Sequence, residues 1–301
     1  MELSIQDQSF LDSFEHIKEY DIDEYNKNKL NLFMIRVNAN EFDYNTLIYN
    51  LLDTVISFSV SRNVQTKYVN KPARLHKKAV DKFVEHCRNT GELGELLLYA
   101  FLECHLKAPK ILSKLELKTS TSMYVNGADG VHYLELPNGN YQLIFGESKT
   151  IKGLSDAISS AFKSIYEFKN EINSKGNAKS GINYEKSLIS DNIMKETFNK
   201  NDIDFITKLI YPSKNSDFRV DDAFGIFIGY EVEILKEDKK LPNDEFVDKL
   251  KTKIEEEVEE NIEKIIKAID ENDLIGHSFY VYVLPFTNLD ASRKKVMEGV
   301  T

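Results

Sequence analysis

The chain of 301 residues lacks several features that define other classes of protein. No apolar run reaches the roughly 18 residues that a membrane-spanning helix needs, so we expect no membrane association. The first residues contain no basic stretch followed by an apolar one, which argues against a secretory signal. The two cysteines, Cys87 and Cys104, form no zinc-ligand pattern, and we expect reduced, buried thiols in a cytoplasmic protein.

Motifs for several hydrolytic mechanisms are also missing. There is no Gly-x-x-x-x-Gly-Lys-Ser/Thr loop, so ATP hydrolysis would have to come from another chain. Ser148 and Ser155 do not lie in a Gly-x-Ser-x-Gly motif, which argues against a serine hydrolase. The histidines have no metal-ligand spacing, and we expect His132 to be a packed or surface residue.

Charge is unevenly distributed along the chain. The net charge is −10, with eleven acids against four bases in residues 1–60 and fourteen against eight in residues 236–273. The middle, residues 61–235, has 24 bases against 22 acids, which is too small an excess to capture DNA strongly without a partner. The most basic segment, residues 61–78, has two interpretations: it contacts a phosphate backbone, or it is a solvated helix face.

Apolar periodicity predicts an α/β protein. A loop is expected over residues 174–181, and the rest of residues 171–220 gives no clear pattern. We divide the chain into an N-terminal α/β accessory segment, residues 1–70, and a main domain, residues 71–301. The predicted helices cover residues 44–60, 78–104 in two pieces broken near residue 90, a segment opening near 155, and 246–269. The predicted strands cover residues 30–37, 111–119, 131–136, 141–147, 223–234 and 277–285.

The most informative stretch is residues 127–149, where two strands flank a Pro-Asn-Gly-Asn turn. Pairing centred on that turn sets Asp129 opposite about position 148, close to Glu147. Glu147 and Lys149 share a sheet face because side chains alternate along a strand. Two carboxylates and the carbonyl of Ser148 suit Mg²⁺, with Mn²⁺ as a substitute, and Lys149 then contacts the attacking water or the scissile phosphate. An ordinary surface Glu–Lys pair is the alternative.

A fourth ligand is expected from the helix before these strands, which begins Gly91-Glu92-Leu93-Gly94-Glu95. Glu92 and Glu95 share one helix face, and the two glycines permit close packing on the sheet. Glu95 is the first choice as a ligand and Glu92 the second. The alternative is that both acids complement the helix dipole.

These residues resemble the PD-(D/E)xK nuclease superfamily, although Ala128 replaces the usual proline before Asp129. The resemblance implies a restriction-endonuclease-like αβββαβ core around a mixed sheet, with N- and C-terminal α/β extensions here. Three segments are similar to the HamA family, the nuclease effectors of the Hachiman anti-phage system: residues 91–99, 127–132 and 145–149. That similarity implies a metal-dependent deoxyribonuclease restrained by a HamB-type superfamily-2 helicase until infection or DNA damage.

Two other functions remain open at this stage. The chain is alternatively a non-catalytic subunit that binds and regulates a helicase, although Asp129, Glu147 and Lys149 are all present. It is alternatively an RNase of the same fold, because a metal and carboxylates serve both polymers. Lys152 and Lys163 are further candidates for contact with nucleic-acid phosphates.

Overall fold

A computed structural model describes most of the chain, and its helices and strands define an α/β fold. The described residues are 1–23, 25, 27–86, 91–113, 115, 127–173, 175–178, 181–196, 200–214 and 216–301. The strands are β1 Phe14–Asp21, β2 Lys29–Ile35, β3 Val37–Asn38, β4 Glu41–Phe42, β5 Lys110–Ser113, β6 Gly130–Glu135, β7 Tyr141–Thr150, β8 Val220–Glu231 and β9 Ser278–Phe286. The helices are α1 Tyr44–Ser59, α2 Arg62–Lys67, α3 Pro72–His86, α4 Glu92–Cys104, α5 Leu154–Lys169, α6 Ile182–Glu196, α7 Lys200–Ile210, α8 Asn243–Glu271 and α9 Leu289–Gly299.

Seven of the strands form one mixed sheet in the order β1-β2-β9-β8-β7-β6-β5. The four central strands β2, β9, β8 and β7 run parallel to one another, whereas β1 pairs antiparallel with β2 and the β5–β6–β7 meander is antiparallel. The residues of β8 from Ala223 to Tyr230 are all buried, as expected for a central strand covered on both faces. β3 and β4 form a separate two-stranded ribbon.

Helices cover both faces of the sheet. A Cβ built on Gly146 of β7 would lie 3.1 Å from Leu98, so α4 packs on the face to which residue 146 points. The next side chain back, Phe145, contacts Phe168 of α5 with ring centroids 5.4 Å apart, on the opposite face. β7 therefore lies between α4 and α5, and each of its two faces is covered by a different helix.

The predicted core order of helix, three strands, helix and strand is confirmed by α4, β5, β6, β7, α5 and β8. The predicted βαβ unit is also confirmed, because β8 and β9 pair in parallel and α8 connects them. β7 runs to Thr150, three residues beyond the predicted end, so Lys149 is a strand residue. Most of residues 114–119, the end of one predicted strand, and Asn89 and Thr90, the predicted helix break, lie outside the described residues.

Several elements were not predicted: β1, the two helices α6 and α7 within residues 171–220, and α9. β1 and β2 join the sheet that carries the candidate site: β1 pairs with β2, and residues 29–32 of β2 pair with residues 280–283 of β9 in the main domain. The expected loop at 174–181 lies partly outside the described residues, and Ile172 and Ala178 form an isolated bridge around its described part. The division at residue 70 stays a prediction.

β1 forms one edge of the sheet and has a charged, irregular outer side. Its pairing with β2 shifts register between His16 and Lys18. Lys18 pairs with Glu259 of α8 at 2.7 Å, and Glu15 is bonded to Lys251 of the same helix. The outer strand is thus tied to α8 by ion pairs.

A buried polar network fixes the first residues of the chain to the core. The Glu103 carboxylate is fully buried and accepts hydrogen bonds from the backbone N–H groups of Ser4 at 2.6 Å and Lys110 at 2.6 Å. The fully buried Lys110 ammonium donates to the Ser57 carbonyl at 2.9 Å.

Among the described helices, none has the length and apolar character required to cross a bilayer.

Candidate functional site

The hairpin of β6 and β7 carries the candidate residues. Its pairing places Val131 opposite Phe145 and Glu135 opposite Tyr141. Continued past Val131, this register sets Asp129 opposite Glu147, one residue from the predicted position 148. The Asp129 N–H donates to the Gly146 carbonyl at 2.8 Å and so extends the ladder beyond β6.

Asp129 is held against β7 by Ser148. Asp129 is 8% exposed, and its carboxylate accepts two hydrogen bonds on Oδ2. One comes from the Ser148 N–H at 2.8 Å and the other from the Ser148 hydroxyl at 2.7 Å. Ser148 was predicted as a carbonyl ligand, and its side-chain contact to Asp129 was not foreseen. The two bonds fix the orientation of this carboxylate beside the end of β7.

Glu147 and Lys149 lie together on β7. The Lys149 ammonium donates to Glu147 Oε1 at 2.5 Å, with side chains 26% and 16% exposed. Their spacing of two residues puts them on one face of the sheet, as predicted. This carboxylate–ammonium pair is partly exposed to solvent near the carboxyl end of the strand.

The helix α4 approaches the same strand end through a glycine. A Cβ built on Gly94 would lie 2.9 Å from Thr150 Oγ1 and 3.2 Å from both Cβ and Oγ of Ser148. Gly91 has no such neighbour within 4 Å, so one of the two predicted glycines makes the close approach and the other does not. α4 therefore packs on the face of Ser148 and Thr150, which by alternation is opposite to the face of Glu147.

The two glutamates of α4 differ in exposure. Glu92 is 3% exposed, whereas Glu95 is half-buried, and both lie in the first turn. No group of three or more His, Cys, Asp or Glu side chains in the described part of the chain is close enough to hold a metal ion. The assembly of Asp129, Glu147 and Glu95 around one ion therefore stays a prediction.

Sequence reasoning missed a further acid near Asp129. Glu185, in the first turn of α6, is 2% exposed. Its carboxylate lies against the turn before Asp129, because a Cβ built on Gly127 would be 2.1 Å from Glu185 Oε2. The signal that could have identified Glu185 was weak, since the surrounding residues 171–220 are polar and gave no helical pattern.

Two neighbouring ring side chains are structural. The His132 ring, 1% exposed, bonds the Ala108 carbonyl through Nδ1 at 2.8 Å, in agreement with the expected packed histidine. Burial raises the pKa of Tyr133 to about 12, and its hydroxyl donates to the Met1 carbonyl at 2.9 Å. Tyr133 therefore stays protonated at neutral pH and does not act as a base. Lys152 and Lys163 are both exposed near the end of β7 and on α5.

A polar cavity of about 530 Å³ lies on the same edge of the sheet, beyond the ends of β8 and β9. Two of the acids that line the cavity have partners: Glu41 pairs with Lys239 at 2.6 Å, and Glu231 accepts a hydrogen bond from the Leu289 N–H at 2.6 Å. This cavity is separate from the side chains of Asp129 and Glu147, which do not line it.

Comparison with known proteins places this fold in a family. The HamA family model matches residues 9–300, almost the whole chain. The chain belongs to the HamA family of the Hachiman anti-phage defence system. This match extends well beyond the three motifs of the resemblance, since it includes β1 and β2 at one end and α9 at the other. None of the curated proteins compared with the chain matches it.

Proposed function

We propose that the chain is a metal-dependent deoxyribonuclease that acts as the effector of a Hachiman defence system. The observation that supports this proposal is the hairpin arrangement, in which Ser148 holds Asp129 while Glu147 and Lys149 pair beside it. Asp129, Glu147 and Lys149 are the proposed catalytic residues. Glu95 is the proposed contributor from α4, because it is the less buried of the two candidates. Since α4 packs on the face of β7 opposite to Glu147, the Glu95 and Glu147 carboxylates would have to meet beyond the end of the strand.

The donor atoms suit magnesium. Mg²⁺ binds oxygen, keeps several waters, and needs one or two carboxylates together with substrate phosphate oxygens. Asp129, just before β6, and Glu147, on β7, supply two carboxylates, and the Ser148 carbonyl and Glu95 are the further candidates. The ion, when bound, would supply a water of lowered pKa and neutralise charge on the phosphate.

The residues of the chain have distinct tasks in this proposal. The two hydrogen bonds from Ser148 keep the Asp129 carboxylate in one orientation, so that it is preorganised before substrate binds. Lys149 contacts a phosphate oxygen or the attacking water and offsets the negative charge that develops during cleavage. Glu147 holds the Lys149 ammonium at the strand end until the phosphate arrives.

The proposal is tested by incubating the purified chain with supercoiled plasmid, linear duplex and RNA, with Mg²⁺, with Mn²⁺ and with EDTA. Glu147→Gln and Lys149→Ala are each expected to lower the rate of DNA cleavage by about 10²-fold or more, since each removes a preorganised charge. Glu135→Ala, at the exposed far end of the same hairpin, and Lys208→Ala, exposed on α7, are the matched controls and should cleave normally.

The outcomes separate the competing functions. Full cleavage by both site variants, or cleavage that survives EDTA, would remove the assignment of residues or of the ion. Cleavage of RNA in place of DNA would identify an RNase of the same fold. Intact folding of the variants is checked by their thermal unfolding midpoints, which should match those of the controls.

We further propose a HamB-type superfamily-2 helicase as the partner of the chain. Family membership supports this proposal, and so does the net charge of −10, which disfavours unaided capture of DNA. Co-expression followed by size-exclusion chromatography with light scattering should give a complex of the two chains. The proposal also predicts slower DNA cleavage by the complex than by the free chain when undamaged DNA is supplied. Equal rates would contradict restraint by the helicase.

A further inference from the structure

The most basic part of the chain is unused by the site described above. Residues 62–82 contain seven Lys or Arg residues and one acid, Asp81, in a protein whose net charge is −10. In the fold this segment forms α2 and most of α3. A local charge of this size against an acidic background selects for a negatively charged binding partner.

The helix α3 is anchored at one end and exposed at the other. Among its described side chains, Ala79 and Phe83 are the buried ones, whereas residues 72–74 and 76–78 are exposed. The Phe83 ring packs edge to face on Phe58 of α1 at 6.1 Å, and Phe58 also contacts Tyr99 of α4 at 5.5 Å. The C-terminal half of α3 is thus fixed to the core, and its N-terminal half presents its sides to solvent.

Three exposed bases lie in a line along this half. Lys71 immediately precedes α3, and Arg74 and Lys78 follow at spacings of three and four residues, which places them on one flank of the helix. At 1.5 Å per residue the line is about 10 Å long. Lys77 lies next to Arg74 around the helix and pairs with Asp81 at 3.1 Å. Lys71, Arg74 and Lys78 are called the basic flank below.

We propose that the basic flank binds the phosphate backbone of duplex DNA. The choice of DNA rests on the proposed function, whereas the preference for a polyanion comes from the charges themselves. Each strand of a duplex carries one phosphate per 3.4 Å of the helix axis, so a 10 Å line laid along that axis spans about three phosphates of one strand. Lys and Arg side chains on such a line position a duplex without reading its sequence.

The basic flank is within reach of the candidate site along one duplex. Lys78 lies eight residues before the end of α3, about 12 Å along the helix axis. The chain from His86 to Glu92 spans at most about 21 Å, since an extended residue covers at most about 3.5 Å. Lys78, the near end of the flank, is therefore no more than about 33 Å from the start of α4, the helix whose Gly94 abuts Ser148 and Thr150. That length is about one turn of duplex DNA.

The test is a binding measurement that does not depend on cleavage. A fluorescently labelled duplex of about 20 base pairs is titrated with the full chain in EDTA, and the affinity is followed by anisotropy over a series of salt concentrations. The triple variant Lys71→Gln, Arg74→Gln, Lys78→Gln is expected to bind at least about tenfold more weakly at low salt. Its slope of log affinity against log salt should be smaller by about 2.7, or 0.9 for each lost phosphate contact.

The matched control removes the same charge elsewhere. Lys240, Lys267 and Lys294 have side chains 71%, 70% and 75% exposed and lie away from α3, so their triple change to Gln should retain wild-type affinity and slope. Equal unfolding midpoints show that both triple variants are folded. Wild-type slope and affinity in the flank variant, or an equal loss in the control, would overturn the proposal.

The remaining outcomes separate this inference from the proposed function. A wild-type chain that binds DNA through the flank but cuts no DNA would contradict the nuclease and leave the flank assignment intact. DNA cleavage by the wild-type chain, together with normal DNA binding by the flank variant, would support the nuclease and contradict the flank assignment. Loss of helicase association by the flank variant with unchanged DNA affinity would assign the flank to a protein partner and overturn the proposal.

Discussion

The contact between Gly94 and β7 makes a prediction that joins stability to the site. Thr150 is held between two glycines: a Cβ on Gly94 would meet its Oγ1 at 2.9 Å, and a Cβ on Gly229 would meet its Cγ2 at 3.0 Å. Rotation of the Thr150 side chain away from one glycine brings it toward the other. A methyl group added at Gly94 therefore has to be accommodated by movement of α4 or of β7 at Ser148.

The expected cost is the difference between two terms. Overpacking of a close contact costs about 1–3 kcal/mol, whereas replacing a helical glycine with alanine gains about 1 kcal/mol. We expect Gly94→Ala to lower the free energy of unfolding by up to about 2 kcal/mol, which corresponds to a fall of a few degrees in Tm. Gly94→Val adds two further carbon atoms beyond Cβ and should be worse.

A displacement at Gly94 should also change the geometry of the candidate site and so lower the rate of DNA cleavage. Ser148 donates both hydrogen bonds that orient Asp129, so a shift of Ser148 moves that carboxylate. A misplacement of about 1 Å can cost about 10²-fold in rate, and we expect Gly94→Ala to slow DNA cleavage by about tenfold or more. Thermal unfolding and initial cleavage rates on linear duplex measure the two effects.

Gly91→Ala is the control within the same helix. Its Cβ would meet nothing within 4 Å, and its backbone has an ordinary φ of −91°. We expect a change of less than about 1 kcal/mol from the weaker cap and normal cleavage. The reasoning is refuted if Gly94→Ala stabilises the chain by about 1 kcal/mol, as helix propensity alone predicts, and Gly94→Val is no worse.

Three further predictions concern buried groups elsewhere. Glu103→Gln should cost about 2 kcal/mol or more in denaturant unfolding, because the backbone N–H groups of Ser4, Ile5 and Lys110 lose a carboxylate acceptor, and an unchanged midpoint would contradict this. Burial raises the pKa of Cys104 to about 12, so in a Cys87→Ser background a thiol reagent should label it after unfolding and not before. Burial, with a smaller contribution from His16, lowers the pKa of His105 below its ordinary 6.5. Its contribution to stability is therefore present above pH 6.5 and is lost on acidification, and His105→Gln should flatten the fall in unfolding free energy between pH 7.5 and 5.5.

Secondary structure was predicted most accurately from the sequence where the apolar residues follow a single periodicity. The apolar spacing of Phe246, Leu250, Ile254 and Val258 predicted α8, and each of these side chains is buried. The Pro-Asn-Gly-Asn turn predicted the hairpin, with a register error of one residue because the turn type was not specified. The shared face of Glu147 and Lys149 followed from strand alternation alone.

The parts that were missed depend on distant contacts. β1 alternates buried and exposed residues only weakly, and its pairing with β2 and α8 determines its conformation. The hydroxyl bond from Ser148 to Asp129 requires two strand ends to meet, and the approach of Glu185 to Gly127 requires α6 to fold back over the hairpin. Residue spacing carries no direct signal for either contact.

The charged border at β1 has a consequence for how the protein behaves at high concentration. An unpaired strand edge is a template on which a second molecule can add a strand and begin a fibre. Here an approaching strand would meet an irregular backbone near His16, beside the charged side chains of Glu15 and Lys18 that pair with α8. Replacing Glu15 and Lys18 with uncharged residues should therefore make β1 a better template for strand addition by a second molecule of the protein.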